Sequence, residues 1–270
     1  MQTTVAQEAR RVLEQANVTS RKSPLRYPGG KSKARAQILE LIPPGTEELA
    51  SPFLGGGSVE IAAANLRGIR VHAYDIFEPL IDFWTELLEN PERLADEIRQ
   101  HYPLTREEFY ALKAETPTTR LERAAHFYVI NRCSFSGSTF SGGMSPDHPR
   151  FTLGLIDKLR HFRCPNISVA CQDFRETLTQ HAETLCYLDP PYRIPINLYG
   201  RNGDAHRDFD HEGLSQLLGQ RGRWILSYND CDEVRDMYPG YRTVTPQWKY
   251  GMSNDKNSRE IIIVSHDIPL

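Results

Sequence analysis

The chain has 270 residues, 25% of them charged and 39% apolar, with a net charge of −3 and a pI near 6.3. That length makes one large α/β domain, or one domain carrying an insertion, and the balance is that of an ordinary soluble globular protein. No apolar run is long enough to span a membrane, and the overall charge does not announce a nucleic-acid binder.

The charge is unevenly spread. Acids crowd the stretch 86–122, while Arg21, Lys22, Arg26, Lys31, Lys33 and Arg35 cluster early and Arg150, Lys158, Arg160, His161 and Arg163 form a second basic group. Such clusters are commonly just solvated surface, but they can also make a local positive face. The five cysteines (Cys133, Cys164, Cys171, Cys186, Cys231) are scattered and lack the paired spacing of a zinc site. They are expected to be buried thiols in a reducing cytoplasm, with no metal.

In chain order, residues 1–23 show no signal-like apolar segment and fit a short amphipathic helix through Val5, Ala9, Val12, Leu13 and Ala16. The loop Pro24-Leu25-Arg26-Tyr27-Pro28-Gly29-Gly30-Lys31-Ser32 follows, with Ser32 expected to cap a helix over 33–41. It is like a phosphate loop only superficially, since the glycine spacing is wrong and no strand precedes it. Residues 47–53 read as a strand that runs into Leu54-Gly55-Gly56-Gly57-Ser58, a helix over 59–66, and a second strand over 69–75 that ends in Asp75. This βαβ unit has a glycine-rich first turn and an acid twenty residues after Gly55. Bare backbone near a helix N-terminus and a carboxylate at the next strand end suit a nucleoside, with Asp75 on ribose hydroxyls. A nicotinamide fingerprint would need a third glycine where Glu60 stands.

Four helical stretches (79–88, 91–100, 105–114 and 120–131) then follow without a strand, the third opened by a Thr105/Glu108 capping box. They read as an insertion, and it ends in a polar, aromatic-studded loop over 131–143, suited to a mobile hairpin or a solvated connector. The sheet resumes at 167–171, before Asp173 and a helix over 174–181. A buried strand over 185–188 then stops at Asp189-Pro190-Pro191-Tyr192. Consecutive prolines lack N–H groups and cannot extend a ladder, so Asp189 is left at a strand's carboxyl end in a stiff turn rich in acceptors. Such a turn can simply terminate a strand. It can also hold an amino-bearing planar base, stacked on Tyr192, with the amine donating to Asp189 and to the Pro190 carbonyl. Residues 193–207 suit a lid. A helix over 209–218, a strand over 224–228, the end of a short helix at 234–237 and strands over 241–250 and 260–265 complete the chain, the last two antiparallel.

In this order the motifs resemble the Dam-like (alpha-group) DNA adenine-N6 methyltransferases, from about Pro24 to Val264. The resemblance is carried by Arg26-Tyr27-Pro28-Gly29-Gly30-Lys31, Pro52-Phe53-Leu54-Gly55-Gly56-Gly57-Ser58, Asp75, the stretch from Asn131-Arg132 to Gly137, Asp173, Asp189-Pro190-Pro191-Tyr192 and the helix start at Phe209. Two positions depart from the family pattern. Ser51 stands where the family often has an acid, and Ser136 where it has a second Asn. The resemblance implies a Rossmann-like methyltransferase sheet, mostly parallel with an antiparallel C-terminal pair. Catalytic parts at 24–84 and 164–270 would flank a helical DNA target-recognition insertion at 85–163, behind an N-terminal extension at 1–23.

It further implies S-adenosylmethionine, with its methionine end at Tyr27, Lys31, Phe53, Gly55 and Gly57, its ribose on Asp75 and its adenine amine on Asp173. The acceptor would be an adenine flipped out of double-stranded DNA, held by Asp189, Pro190, Pro191 and Tyr192. Asn131, Arg132, Ser136, Arg150, Lys158, Arg160 and Arg163 would touch the DNA. A cognate restriction enzyme is the protein partner left open, and the cytoplasm is the expected compartment. Two readings compete: a cytosine-N4 or RNA-adenine amino-methyltransferase using the same turn, and a non-catalytic DNA-binding relative, whose expected damage to the tetrad or glycine loop is not seen.

Overall fold

The computed structural model describes residues 22–145, 150–193, 209–245 and 260–269; the expectations for 1–21, for most of the lid and for much of the last two-strand loop lie outside the described residues. Helix α1 (Arg35–Leu41) leads to β1 (Glu48–Ser51), α2 (Ser58–Arg67) and β2 (Arg70–Asp75). Helices α3 (Glu78–Glu89), α4 (Pro91–Arg99), α5 (Arg106–Ala114), α6 (Arg120–Cys133) and α7 (Leu153–Arg160) come next, with two 3-10 turns at Phe135–Gly137 and Thr139–Ser141. Strand β3 (Ile167–Cys171), α8 (Phe174–Gln180), β4 (Leu185–Leu188), α9 (His211–Gly219), β5 (Trp224–Asn229), α10 (Asp232–Met237), β6 (Arg242–Val244) and β7 (Glu260–Val264) follow.

The strands form one sheet in the order β3-β2-β1-β4-β5-β7-β6. The first five are parallel to one another, and β7 runs antiparallel to both β5 and β6. Chain order reverses between β1 and β4, which are neighbours through Leu49↔Leu185 and Ala50↔Cys186. A reversal of this kind opens a crevice beyond the carboxyl ends of the two strands, because the connections leave to opposite sides. The glycine turn follows β1 and the Asp-Pro-Pro-Tyr turn follows β4, so both fall on that crevice.

Period-two alternation divides the core. Leu185, Tyr187, Ile225, Ile262 and Val264 face one apolar cluster, and Cys186, Leu188, Trp224, Leu226, Tyr228, Ile261 and Ile263 face the other. The first cluster continues without a break into α3–α7 through Phe83, Trp84, Phe127 and Tyr128. Phe83 stacks on Tyr128 at 5.4 Å and 11°. The helical segment thus shares its core with the sheet.

Two local expectations are corrected. Helix α1 begins after Ala34, with no side-chain cap from Ser32, because Lys31 is drawn into the crevice. Cys171 is exposed, since the edge strand β3 is covered on one side only. The 131–143 loop closes as a hairpin through an antiparallel bridge between Ser134 and Met144 and is pinned from within. The Ser134 hydroxyl donates to the Asn131 carbonyl and accepts from the Thr139 amide, and Lys113 donates to the Gly142 carbonyl. Among the described residues no helix is long and apolar enough to cross a membrane.

Phe83→Ala should cost about 3–5 kcal/mol in denaturant unfolding, in one cooperative transition. A loss below about 1 kcal/mol, or a separate transition for the helices, would mean that the helical segment has a core of its own.

Candidate active site

The crevice is a cleft of about 660 Å³ lined by the 27–31 loop, the glycine turn, the ends of β2 and β4, and Phe174 and Phe209. Helix α3 and Tyr27 shape the glycine turn from either side. The Trp84 indole donates to the Gly55 carbonyl at 3.1 Å. Gly57 has φ +64, and a Cβ there would lie 2.9 Å from the Trp84 ring. A Cβ on Gly56 would lie 2.8 Å from Tyr27. The glycines are therefore required partly by the protein's own aromatic side chains, and not only by a ligand as the sequence suggested. Asp75 closes the turn by accepting from the Gly55 amide and from the Phe77 amide, both at 3.0 Å. Burial pushes its carboxyl up against the pull of these two amides.

At the end of β4 the sheet stops at Leu188. The Lys31 ammonium donates to Asp189 Oδ2 at 2.8 Å and to the Gly29 carbonyl at 2.8 Å. Asp189 Oδ1 lies 2.7 Å from the same ammonium but off the hydrogen-bond direction, and it receives no directed bond. The Asp189 side chain keeps 22% of its surface open, while Oδ1 itself is closed to solvent. Burial pushes the carboxyl up to about 6; Lys31 opposes the shift and Glu260 adds to it. Lys31 is also 3.5 Å from Glu260 and 4.8 Å from the Tyr192 ring centroid. Tyr192 donates its hydroxyl to Glu260 and stacks on Tyr228 at 5.9 Å and 19°. The turn is fastened behind by Asn229, whose side chain accepts from the Arg193 amide at 2.9 Å and donates to the Arg193 carbonyl at 3.0 Å.

Lys31, expected on the cofactor, thus has its ammonium on Asp189. Asp173 lines the cleft, but its Oδ1 caps α8 through the Arg175 amide at 2.8 Å, and both oxygens lie 3.3 Å from the Arg175 guanidinium. Beside it Phe53, Phe174 and Phe209 form a ring triad with centroids 5.4–5.7 Å apart. Sequence reasoning missed Phe174, Phe209 and Glu260. The two aromatics each adjoin a helix-capping acid, Asp173 and Asp210, which was the signal available. Glu260 opens a strand far along the chain, and only the register of β5 with β7 brings it to the site.

Of the expected DNA contacts, Asn131 is corrected. It is fully buried, accepting from the Arg26 amide at 3.0 Å and donating to the Arg26 carbonyl at 2.7 Å. An amide committed in this way fastens the 24–31 loop to α6 and does not reach DNA. Arg132 donates to the Arg150 and Pro24 carbonyls, and together with Arg26 and Arg150 makes a cluster of three guanidiniums. None of the three pairs with an acid among the described residues. Burial, then Arg150 and Arg132, hold Arg26 down at about 10. Arg160 pairs with Asp96, and Arg163 lies 3.8 Å from Glu92, so two members of the second basic group are paired with acids of α4. Lys158 is exposed on α7, and the Ser136 side chain lies outside what is described. Among the described residues no group of metal-ligating side chains converges.

A strand-end Asp-Pro-Pro-Tyr turn and a glycine turn thus line one cleft at a Rossmann-like switch point. The model for the D12 class N6 adenine-specific DNA methyltransferases matches residues 27–252, and the chain belongs to that family. It is also similar to the Type II methyltransferase M1.LlaDCHI of Lactococcus lactis subsp. cremoris, 24% identical over 208 residues and covering 70% of each chain. The family's activity is N6-adenine-specific methylation of DNA, which sets aside the cytosine-N4 and RNA readings.

Asn131→Ala should cost about 2–4 kcal/mol in thermal or urea unfolding, because two backbone groups of Arg26 lose their partner. A variant of unchanged stability that lost only DNA affinity would restore the contact role.

Proposed function

We propose that the enzyme moves a methyl group from S-adenosylmethionine to the exocyclic amine of an adenine turned out of double-stranded DNA, with Asp189 holding that amine. The single observation that carries this reading is the Asp189 carboxylate at the strand end, held by Lys31 and partly open at the wall of the glycine-turn cleft. The cleft also fits a nucleoside-bearing cation. Asp75 can accept from ribose hydroxyls, the Phe53–Phe174–Phe209 triad makes a slot for a flat ring, and Asp173 lies at its edge to accept from a ring amine. Tyr27, Gly55 and Gly57 would border the methionine end. When bound, the donor supplies a methyl group already activated on a sulfonium.

The protein's own part is orientation and electrostatics. Asp189 accepts one N–H of the target amine, and the Pro190 carbonyl, in a turn without competing N–H groups, can accept the other. Both bonds keep electron density on nitrogen and fix its lone pair. Tyr192, backed by Tyr228 and anchored through its hydroxyl, offers a ring on which the flipped base stacks, offsetting the few kcal/mol lost on leaving the duplex. Asp189 then takes the amine's proton. The Arg26–Arg132–Arg150 cluster suits a DNA phosphate, since it has no acid to neutralise it among the described residues. Residues 85–163 would supply most of this DNA-facing part, with Arg26 joining from the 24–31 loop. Association with a restriction enzyme of the same target sequence is supported by the Type II designation of the relative.

Incubation with methyl-labelled S-adenosylmethionine and duplex DNA, followed by digestion to nucleosides, should place the label on N6-methyladenine. Asp189→Ala should abolish it while the donor still binds; labelled product from that variant would defeat the mechanism. Asp189 acts as the carboxylate, so kcat/KM should fall as pH drops through about 6. Lys31 holds that value down, so Lys31→Gln should move the acid limb up by about one pH unit. An unmoved limb would assign the titration to another group.

A further inference from the structure

Strand β1 ends at Ser51, where the family often carries an acid. The Ser51 hydroxyl donates to Glu60 Oε1 at 2.7 Å, and both residues are closed to solvent at 0% and 2% exposure. Glu60 lies in the first turn of α2, immediately beyond the glycine turn, and lines the cleft. The geometry therefore returns a carboxylate to the end of β1 from nine residues further on. No cation pairs with Glu60 among the described residues. The ionisable groups whose fields reach it are Asp189 and Tyr187, one of them of like charge. Lys31, the ammonium at this end of the cleft, is committed to Asp189 and lies near Glu260.

A buried carboxyl beside a like charge, with no cation of its own, is costly unless something else supplies the charge. We propose that Glu60, presented by Ser51, is the buried counter-charge for a cationic group of the methyl donor. This rests on the donor reading above. The donor has two such groups, its sulfonium and its α-ammonium, and either would supply the missing charge.

Burial pushes the Glu60 carboxyl up to about 7, with the Ser51 hydroxyl opposing and Asp189 adding to the shift. Near neutral pH the site is thus partly protonated before the donor arrives. Binding of a cation favours the carboxylate, and the O–H proton of Glu60 passes to solvent. The unliganded protein carries the converse. Its folded state holds that proton more tightly than the unfolded chain, so this group's contribution to stability falls as pH rises from the usual carboxylate range through about 7.

The test is calorimetric binding of S-adenosylmethionine and S-adenosylhomocysteine to wild type, Glu60→Gln and Ser51→Ala, in buffers of different ionisation enthalpy. Glu60→Gln should weaken S-adenosylmethionine about tenfold or more at about pH 8, less at about pH 6, and release fewer protons. An equal loss for S-adenosylhomocysteine assigns the ammonium, and a spared S-adenosylhomocysteine assigns the sulfonium; both uphold the proposal. Ser51→Ala keeps the carboxyl but removes its donor, so it should need a higher pH for the same affinity. Without ligand, Glu60→Gln should lose less Tm than wild type between about pH 5 and about pH 8, which separates lost binding from lost folding. Wild-type affinity and proton release in Glu60→Gln would overturn the inference. Wild type that bound neither ligand would instead remove the donor reading itself, and this inference with it.

Discussion

The contact on which the site depends is the one between Lys31 and Asp189. A carboxylate at a strand end, largely cut off from water, is driven toward its neutral form. A neutral acid could not take up the proton of an amine. The Lys31 ammonium opposes that drift, holding one oxygen at 2.8 Å and leaving the other without a directed donor. The same lysine is tethered to Gly29 and approaches Glu260, so its position is set by three groups rather than by the carboxylate alone. This ties the N-terminal loop, the end of β4 and the start of β7 into one unit. Truncating one partner of such a pair costs more than the pair contributes, because the other charge is left buried.

The scaffold around this contact is built from polar side chains that imitate backbone. Asn131 pairs with both the amide and the carbonyl of Arg26, and Asn229 does the same for Arg193. Each fixes the loop next to a functional residue without adding a strand. Trp84 works in the same way on the glycine turn, donating to Gly55 while its ring occupies the space that a Cβ on Gly57 would need. The helical segment is therefore part of the site's support. Its shared core with the sheet transmits the position of α3 directly to the turn below.

The sheet and both turns were legible in the sequence because they depend on local chemistry. Prolines end a strand wherever it stands, and a glycine turn between an apolar strand and a helix has few other uses. Asp75 and Asp189 were found at strand ends for that reason. The partners of those acids were not legible. Nothing near Lys31 in the chain says that its ammonium meets an acid 158 residues away. The motif around Asn131 suggested a contact with a partner molecule because an exposed polar loop and an internal clamp have the same composition. Burial separates them, and burial is a property of the fold. Glu60 was read only as the residue that breaks a nicotinamide fingerprint, since its link to Ser51 exists only once α2 folds back on β1.

The net charge of −3 stood against DNA as the substrate, and the arrangement of charges answers it. A polyanion responds to the field at its own surface and not to the sum over the protein. Arg120 and Arg123 are paired with Glu86, Glu89 and Asp82, and Arg160 and Arg163 with Asp96 and Glu92, so much of the charge on the helices, acid and base, is spent locally. Arg26, Arg132 and Arg150 are the contrast. They are held together by backbone carbonyls of the 24–31 and 131–150 segments, where burial and then the Arg150 charge hold Arg26 and Arg132 down, with no acid paired to any of the three among the described residues. Like charges gathered in this way are unfavourable in the free protein and become favourable when a phosphate joins them. An enzyme that must leave its product after each transfer is better served by one such cluster beside the cleft than by a uniformly basic surface.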